Sequence, residues 1–309
     1  MRSLRRLLLA VPVVWLVVSL VFLLIHLVPG DPVLQMLGDG ATPADIGALR
    51  HAYGLDLPLW QQYLRYWIGV LHGDLGSSIR LHDTVAHLIM ARYPYTLVLT
   101  LAALVLALLL ALPAGILAAL QRGRWQDQLL SVASLGGLSV PGLVLGPVLI
   151  LAVSIHLGWL PVSGASGGQR GIEWPYLVLP ALAMGASLAA ILTRMVRTTM
   201  LEELGQDYIR TARAKGLTEA AVVCRHALPN ALVPILTVVG LQFGALLAGA
   251  VVTETIFSWP GLGRLVVSAI SNRDYALVQG CLLSIGLTYV LVNLMTDAIY
   301  AWVNPRMRR

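Results

Sequence analysis

The composition of the chain is that of an integral membrane protein. Of its 309 residues, 58% are hydrophobic and only 12% are charged, and the mean hydropathy is +0.79. Soluble domains carry about 25% charged residues, so these values exclude a soluble globular protein. Basic loops beside a membrane explain the net charge of +6, which therefore calls for no nucleic-acid partner.

Six apolar runs are predicted to be membrane-spanning helices, since about 20 residues are needed for each crossing. They cover approximately residues 7–28, 95–120, 129–157, 176–196, 231–252 and 276–303. The first run follows a basic start, but it is too long for the core of a signal peptide and no small-residue cleavage site follows it. The predicted fold class is therefore an all-α polytopic membrane protein, in which residues 1–309 form one transmembrane domain.

The distribution of lysine and arginine orients these helices, because both residues concentrate on the cytoplasmic side of a membrane. If the N-terminus is inside, the inner segments hold 14 of the 21 basic residues, although the outer segments are longer in total. Both termini are thus predicted to be cytoplasmic, as are residues 193–230. Residues 29–92 are predicted to form an extracytoplasmic insert between the first two helices.

The insert is predicted to be ordered. Thr42 is expected to cap a short helix that begins at Pro43 and ends near Tyr53. Residues 58–71 form a second helical run whose apolar face is predicted to lie against the outer membrane surface. The residues of this face are Leu59, Tyr63, Tyr66, Trp67 and Val70.

Glycine and proline interrupt two of the later apolar runs. Pro141 and Pro147 are expected to kink the third run. Gly240 and Gly244, spaced as GxxxG, permit close helix packing in the fifth run. A bundle of moving helices needs such positions, although a static bundle can also contain them.

Residues 207–230, DYIRTARAKGLTEAAVVCRHALPN, form the most polar stretch in the second half of the chain. Good helix formers occupy residues 207–215, and Gly216 is a usual helix stop. Thr218 is expected to cap a second helix, which Pro229 terminates or kinks. The predicted pattern is helix, glycine turn and helix, leading into the fifth membrane span.

The first of these helices has features of a docking element. Arg210 and Arg213 lie one turn apart on a common face. The side chains small enough for another surface to approach closely are Thr211, Ala212 and Ala214. Contact with anionic lipid would explain only the positive charge. A cytoplasmic protein partner would explain both the charge and the helix-glycine-helix pattern.

Motifs for enzyme chemistry are weak or absent in this sequence. An ATP-binding GxxxxGK[ST] loop cannot be present, because Lys215 is the only lysine and Gly216 follows it. The stretch GASG at 164–167 resembles the motif of intramembrane serine proteases, with Ser166 as nucleophile. His226, the only later histidine, lies on the opposite side of the membrane, so a flexible loop is the preferred interpretation.

Metal binding and ion coupling are two further alternatives. The insert contains His51, His72, His82 and His87, but their spacing matches no compact metal site. An ion-coupled carrier would need ionisable groups near the membrane midplane, where Asp297 is the only candidate and lies near the inner end of the last span. The secondary carrier is kept as the alternative function.

The polar stretch resembles the EAA loop of ABC importer permeases. In that family the loop has the pattern EAA-x3-G-x9-I-x-LP, where x is any residue. The matching positions are Arg210-Thr211-Ala212, Gly216, His226 and Leu228-Pro229, with Arg210, Thr211 and His226 departing from the family residues. The form YIRTARAKGL…RHALPNALVPIL is similar to that of dipeptide and oligopeptide permeases. The same subfamily is matched by LVPGDPV (27–33), by YGLDLPLWQQYLRYWIGVLHGDLGSSI (53–79) and by ETIFSWPGLGRL (254–265).

This resemblance implies a type I ABC importer permease in a bacterial inner membrane. The implied partners are a homologous second permease, two cytoplasmic ATPase subunits that bind ATP and Mg, and an extracytoplasmic binding protein that delivers dipeptides, oligopeptides, nickel or similar small solutes. The chain itself would hold no cofactor and no catalytic residue. The insert and FSWPGLGRL would face the binding protein or cover the translocation path. The implied ATPase-coupling helix comprises Tyr208, Arg210, Thr211, Ala212, Arg213, Ala214, Lys215 and Gly216, with Leu228 and Pro229 at the exit of the loop.

Overall fold

The structure is a computed structural model that describes residues 2–27, 33, 42–52, 54–78, 80–162, 164 and 172–303. Within these residues the regular structure is helical, apart from one isolated β-bridge between Ser77 and Thr84. The all-α prediction is therefore confirmed. The chain divides into two compact units, of which the first comprises residues 1–96 and 260–291 and the second residues 97–259 and 292–309.

The described residues contain twelve α-helices. In chain order they are α1 (Arg2–Leu27), α2 (Pro43–Ala52), α3 (Leu59–His72), α4 (Val85–Leu120), α5 (Trp125–Ser139), α6 (Gly142–Leu149), α7 (Trp174–Leu204), α8 (Asp207–Ala214), α9 (Glu219–Val222), α10 (Leu228–Ile256), α11 (Leu262–Ser271) and α12 (Tyr275–Val303). Two π-helical segments, Ile150–His156 and Val223–Ala227, continue α6 and join α9 to α10.

Four helices in the described part of the chain are long and apolar enough to cross a membrane. They are Val85–Leu120, Trp174–Leu204, Glu219–Ile256 and Tyr275–Thr296. The second, fourth, fifth and sixth predicted spans coincide largely with them, and α7 continues to Leu204 through residues predicted as loop. The first predicted span falls on α1. Where its side chains are described, its apolar stretch is Ala10–Leu24, so its crossing of the membrane stays a prediction.

The third predicted span, residues 129–157, is not one continuous helix. α5 ends at Ser139 and α6 begins at Gly142, and the chain bends by 103° between them. Val140 is extended, as the residue before a proline prefers, and Pro141 cannot donate the hydrogen bond that would continue α5. The expected kink at this proline is therefore a full break. Pro147 remains inside α6, which becomes π-helical from Ile150.

In the first unit, α3 packs against α1. Val18 and Val21 of α1 form a buried cluster that Tyr66, Trp67 and Val70 of α3 cover. The hydroxyls of Ser19 and Tyr63 lie 2.7 Å apart, within hydrogen-bond distance. The apolar face predicted to lie on the membrane surface thus packs on a helix instead. Leu59, which is 60% exposed, lies outside this contact.

The predicted cap of α2 is confirmed. The Thr42 backbone N–H donates to Asp45 over 3.1 Å, and the Asp45 N–H donates to the Thr42 hydroxyl over 3.3 Å. These reciprocal bonds form a capping box at the start of the helix. Hydrogen bonds from Thr42 hold the pKa of the Asp45 carboxyl below its usual range. The bonds that the Asp45 carboxylate accepts are therefore complete at neutral pH and weaken only as the pH falls through that lowered pKa.

In the second unit, α7 is the central helix and packs against α5, α6 and α10. Small residues allow its close contacts, as is usual between membrane helices. A Cβ atom on Gly185 would lie 2.6 Å from the Ala103 carbonyl oxygen. Gly240 of the predicted GxxxG pair meets Thr296 of α12 in the same way, so this pattern serves packing within the chain.

Candidate docking site

The α8 helix, Asp207–Ala214, has one buried side and a broad exposed side. Ile209 is fully buried and Ala212 is 6% exposed, as expected of residues three apart on one helix face. Thr211 and Ala214 are exposed. Of the three small residues predicted to face a partner, Ala212 therefore faces the chain itself, and that part of the prediction is wrong.

The turn after α8 is confirmed in detail. Gly216 has a φ of +79°, in the left-handed region that side chains rarely adopt. Its N–H donates to the Arg213 carbonyl over 2.9 Å, and the Leu217 N–H donates to the Ala212 carbonyl over 3.4 Å. This pair of bonds is a Schellman motif, which satisfies the free carbonyls at a helix end. A Cβ atom on Gly216 would meet nothing within 4 Å, so its backbone conformation alone requires glycine.

The three basic residues predicted to contact a partner differ in their environments. Arg213 reaches across the glycine turn to Glu219, with its Nε 2.9 Å and its NH2 group 2.8 Å from the same carboxylate oxygen. Arg210 is 76% exposed and has one long contact of 3.3 Å to Asp207. The Lys215 side chain forms no hydrogen bond or ion pair with any residue that the structure describes. Arg213 thus braces the turn, whereas Arg210 and Lys215 are available to a partner.

The second helix of the segment begins as predicted and does not terminate at Pro229. The Thr218 hydroxyl accepts a hydrogen bond from the Ala221 N–H over 3.4 Å and so caps α9. The sequence predicts that Pro229 terminates or kinks this helix, yet Glu219–Ile256 is continuous. Pro229 falls at the start of α10, directly after the π-helical segment. The α-helical hydrogen-bond pattern is already interrupted there, so a proline can be accommodated without ending the helix. Leu228 beside it is half-buried, and Pro229 is exposed.

Tyr208 connects α8 to the helices on both sides of it. Its hydroxyl donates a short hydrogen bond to the Glu203 carboxylate near the end of α7. The Asn230 side-chain amide at the start of α10 donates to the same hydroxyl over 3.0 Å. Burial, and secondly Glu203, raise the pKa of Tyr208, so the hydroxyl keeps its proton well above neutral pH. The sequence analysis assigned Tyr208 to this helix, but no sequence pattern predicts its hydrogen bonds to Glu203 and Asn230.

An ion pair that the sequence did not reveal holds the N-terminal end of α5 against α7. The Arg197 guanidinium donates to both carboxylate oxygens of Asp127, over 2.6 and 2.8 Å. Asp127 also accepts from the Gly123 N–H over 2.9 Å in the turn before α5. The Asp127 side chain is 6% exposed and that of Arg197 is 30% exposed. This arrangement fixes the turn to α7 with charge-assisted bonds.

A cavity of about 350 Å³ opens in the second unit beside the break between α5 and α6. Helices α6, α7 and α10 line it, mostly with small and aliphatic side chains. Its polar side chains are Ser187, Gln242 and Thr253. These helices come from the third, fourth and fifth predicted spans, and the sequence alone could not select the lining residues among them.

The structure provides no support for the protease and metal-binding alternatives. Ser166 of the protease-like motif lies outside the described residues. His51 lies 2.8 Å from Asp56, and His87 lies 2.5 Å from Asp83. Each of these pairs stands alone, because no cluster of three metal-ligating side chains occurs in the part of the chain that the structure describes.

Comparison with known proteins relates the whole chain to membrane transport components. Residues 111–309 match the family model of the inner membrane component of binding-protein-dependent transport systems. Residues 1–100 match the model of the N-terminal part of the membrane component of such systems. Because the first match alone covers more than half of the chain, the chain belongs to the family of inner membrane components of binding-protein-dependent transport systems.

Curated relatives and solved structures agree with this assignment. The glutathione transport system permease protein GsiC of Escherichia coli O6:H1 is 42% identical over 304 residues, which cover 98% of this chain and 97% of the relative. GsiC of Shigella boydii is 41% identical over 304 residues, with the same coverage. A structure of the MetNI methionine ABC transporter in an inward-facing conformation has a TM-score of 0.59 at 19% identity, covering 70% of this chain and 96% of its own, and shows a shared fold.

The chain is thus a permease subunit of an ABC importer of the peptide-transport family, located in an inner membrane. The predicted class, the predicted location and the prediction that this chain is not an ATPase are confirmed. The ion-coupled carrier considered as an alternative finds no support in these comparisons.

Proposed function

We propose that this permease imports small peptides, the chemical class to which glutathione belongs, or solutes of similar size. The identity of 42% to a glutathione permease across 98% of the chain is the observation that carries this proposal. The cavity between α6, α7 and α10 supports it, because its aliphatic wall with three polar side chains suits a solute that has both apolar and amide groups.

The proposed assembly contains a second, homologous permease, two ATPase subunits that bind ATP and Mg, and an extracytoplasmic binding protein. Both termini and α8 lie on the cytoplasmic side, as the basic residues indicate. The ATPase receives the exposed side of α8, which presents the positive charges of Arg210 and Lys215. Arg210 has only the exposed Asp207 beside it, and Lys215 has no ion-pair partner among the described residues. Closure of the ATPases on nucleotide then moves α8 and drives alternating access.

The Gly216 turn provides a direct test of this coupling. Gly216→Val forces a β-branched residue into the left-handed region, at a cost of about 1–2 kcal/mol, and distorts the Schellman turn that orients α8. The complex of both permeases, both ATPases and the binding protein is reconstituted in proteoliposomes, and ATP hydrolysis is measured with glutathione or dialanine as the solute. We expect solute stimulation of hydrolysis to fall strongly for Gly216→Val and less for Gly216→Asn, since asparagine tolerates this conformation.

Gly205→Val is the matched control, because Gly205 has an ordinary helical φ of −82° and a Cβ atom there meets nothing closer than 3.5 Å. Full solute stimulation in the Gly216→Val complex would contradict the coupling role of α8. A lack of stimulation by both solutes in the unchanged complex would instead contradict the proposed substrate class.

A further inference from the structure

The hydroxyl group of Tyr208 is the meeting point of three helices. It donates to Glu203, one residue before the end of α7, and it accepts from Asn230 in the first turn of α10. The Asn230 amide also donates to the His226 carbonyl over 3.1 Å, which fixes its orientation. A tyrosine hydroxyl can both donate and accept, and here both capacities are used toward different helices.

Other hydroxyls nearby do not connect helices in this way. The Thr198 hydroxyl bonds to the Arg194 carbonyl of its own helix over 3.0 Å. The Thr211 hydroxyl likewise bonds to the Asp207 carbonyl within α8 over 3.1 Å. The Tyr208 bridge is therefore not a by-product of local helix geometry, because both of its bonds leave α8.

The ends that the bridge joins belong to the helices beside the cavity. Glu203 lies on α7 and Asn230 on α10, and both helices line the cavity described above. These two helices pack against each other within the second unit. Tyr208 therefore links α8 to both of these helices by one side chain, beside the backbone connections and the buried Ile209 and Ala212.

From this geometry we infer that Tyr208 is a positioning residue that transmits displacement of α8 to α7 and α10 through its hydroxyl bridge to Glu203 and Asn230. This inference rests on the proposed function, in which an ATPase moves α8. The bond to the Glu203 carboxylate is charge-assisted and is the stronger of the two. The bond from Asn230 links α10 to the same hydroxyl, so loss of the hydroxyl removes the side-chain links to both helices at once.

Tyr208→Phe tests the inference, because it keeps the ring and removes only the hydroxyl. The measured quantity is the number of solute molecules transported per ATP hydrolysed by the complete complex in proteoliposomes, with glutathione or dialanine as the probe. We expect this ratio to fall about fivefold to tenfold, since a hydrogen bond to a charged group and a neutral hydrogen bond are both lost. Thr198→Val, which removes a hydroxyl that bonds only within α7, leaves the ratio unchanged.

Variants of the partners separate transmission from mere stability. Glu203→Gln keeps an oxygen that accepts from Tyr208 and retains most of the ratio, whereas Glu203→Leu lowers it, though less than Tyr208→Phe does, because the bond from Asn230 to Tyr208 remains. The double variant Tyr208→Phe/Glu203→Leu is expected to be no worse than Tyr208→Phe alone, because Tyr208→Phe already removes both bonds of the bridge.

Three results would overturn the inference. They are an unchanged ratio in Tyr208→Phe, additive losses in the double variant, and failure of the Tyr208→Phe and Glu203→Leu complexes to assemble, which would assign the bridge a structural role. Failure of the proposed function has a different signature. In that case the unchanged chain would not assemble with an ATPase, or would transport neither probe.

Discussion

At the scale of single residues, the second unit depends on charges that are far apart in sequence. Asp127 and Arg197 are 70 positions apart, and no local pattern marks either as a partner of the other. Thr42 and Gly216 were predictable, because capping and left-handed turns depend on neighbours within a few residues. Tertiary packing decides the other cases, including the burial of Ala212 and the bridge from Tyr208 to Asn230.

Arg197→Met is expected to destabilise the permease by roughly 3 kcal/mol or less. The substitution leaves the buried Asp127 carboxylate without its cation, and the cost stays at the lower end for a broken ion pair because Arg197 is 30% exposed. The midpoint of thermal unfolding of the detergent-solubilised protein reports the change. Arg194→Met, an exposed position one turn earlier on α7, is the control. Adding Asp127→Asn to Arg197→Met should recover part of the loss, and equal midpoints for Arg197→Met and Arg194→Met would refute a role for the pair.

At the scale of helices, apolar periodicity located the elements, but it did not show where the chain bends. The sequence placed a kink at Pro141, whereas the structure has a break of 103° there. A proline inside an apolar run is compatible with either a kink or a break. Here α5 and α6 both pack on α7, and this packing favours the break. The apolar face of α3 illustrates the same limit, because a membrane surface and the side of α1 demand the same residue types.

Close packing of α7 leads to a prediction about Gly185. In Gly185→Ala the new Cβ atom would lie 2.6 Å from the Ala103 carbonyl oxygen, so a backbone must shift, at a cost of roughly 1–3 kcal/mol. Gly136→Ala is the matched control, because its Cβ atom meets nothing within 4 Å and alanine favours a helix by about 1 kcal/mol over glycine. Thermal unfolding in detergent should show a lower midpoint for Gly185→Ala and an equal or higher one for Gly136→Ala. A reversed order would contradict the contact between α4 and α7.

At the scale of the whole molecule, composition and the distribution of basic residues are enough to indicate a polytopic membrane protein. The family match over residues 111–309 and the relatives that cover 98% of the chain confirm that class. Solute identity stays a proposal because no sequence pattern distinguishes Ser187, Gln242 and Thr253, the polar side chains of the cavity, from the other residues of their helices. Membership among the permease subunits of ABC importers implies that separate subunits bind ATP.

Co-purification tests whether α8 of this permease receives a separate ATPase. The tagged chain is extracted gently from its native membrane, and the masses of the intact complex and of its subunits are measured. We expect a second permease and two ATPase subunits with the unchanged chain. With Arg210→Glu/Lys215→Glu we expect the ATPases to be lost and the second permease to be retained. Recovery of this chain without any ATPase in several mild detergents, or undiminished ATPase in the charge-reversed variant, would contradict the claim.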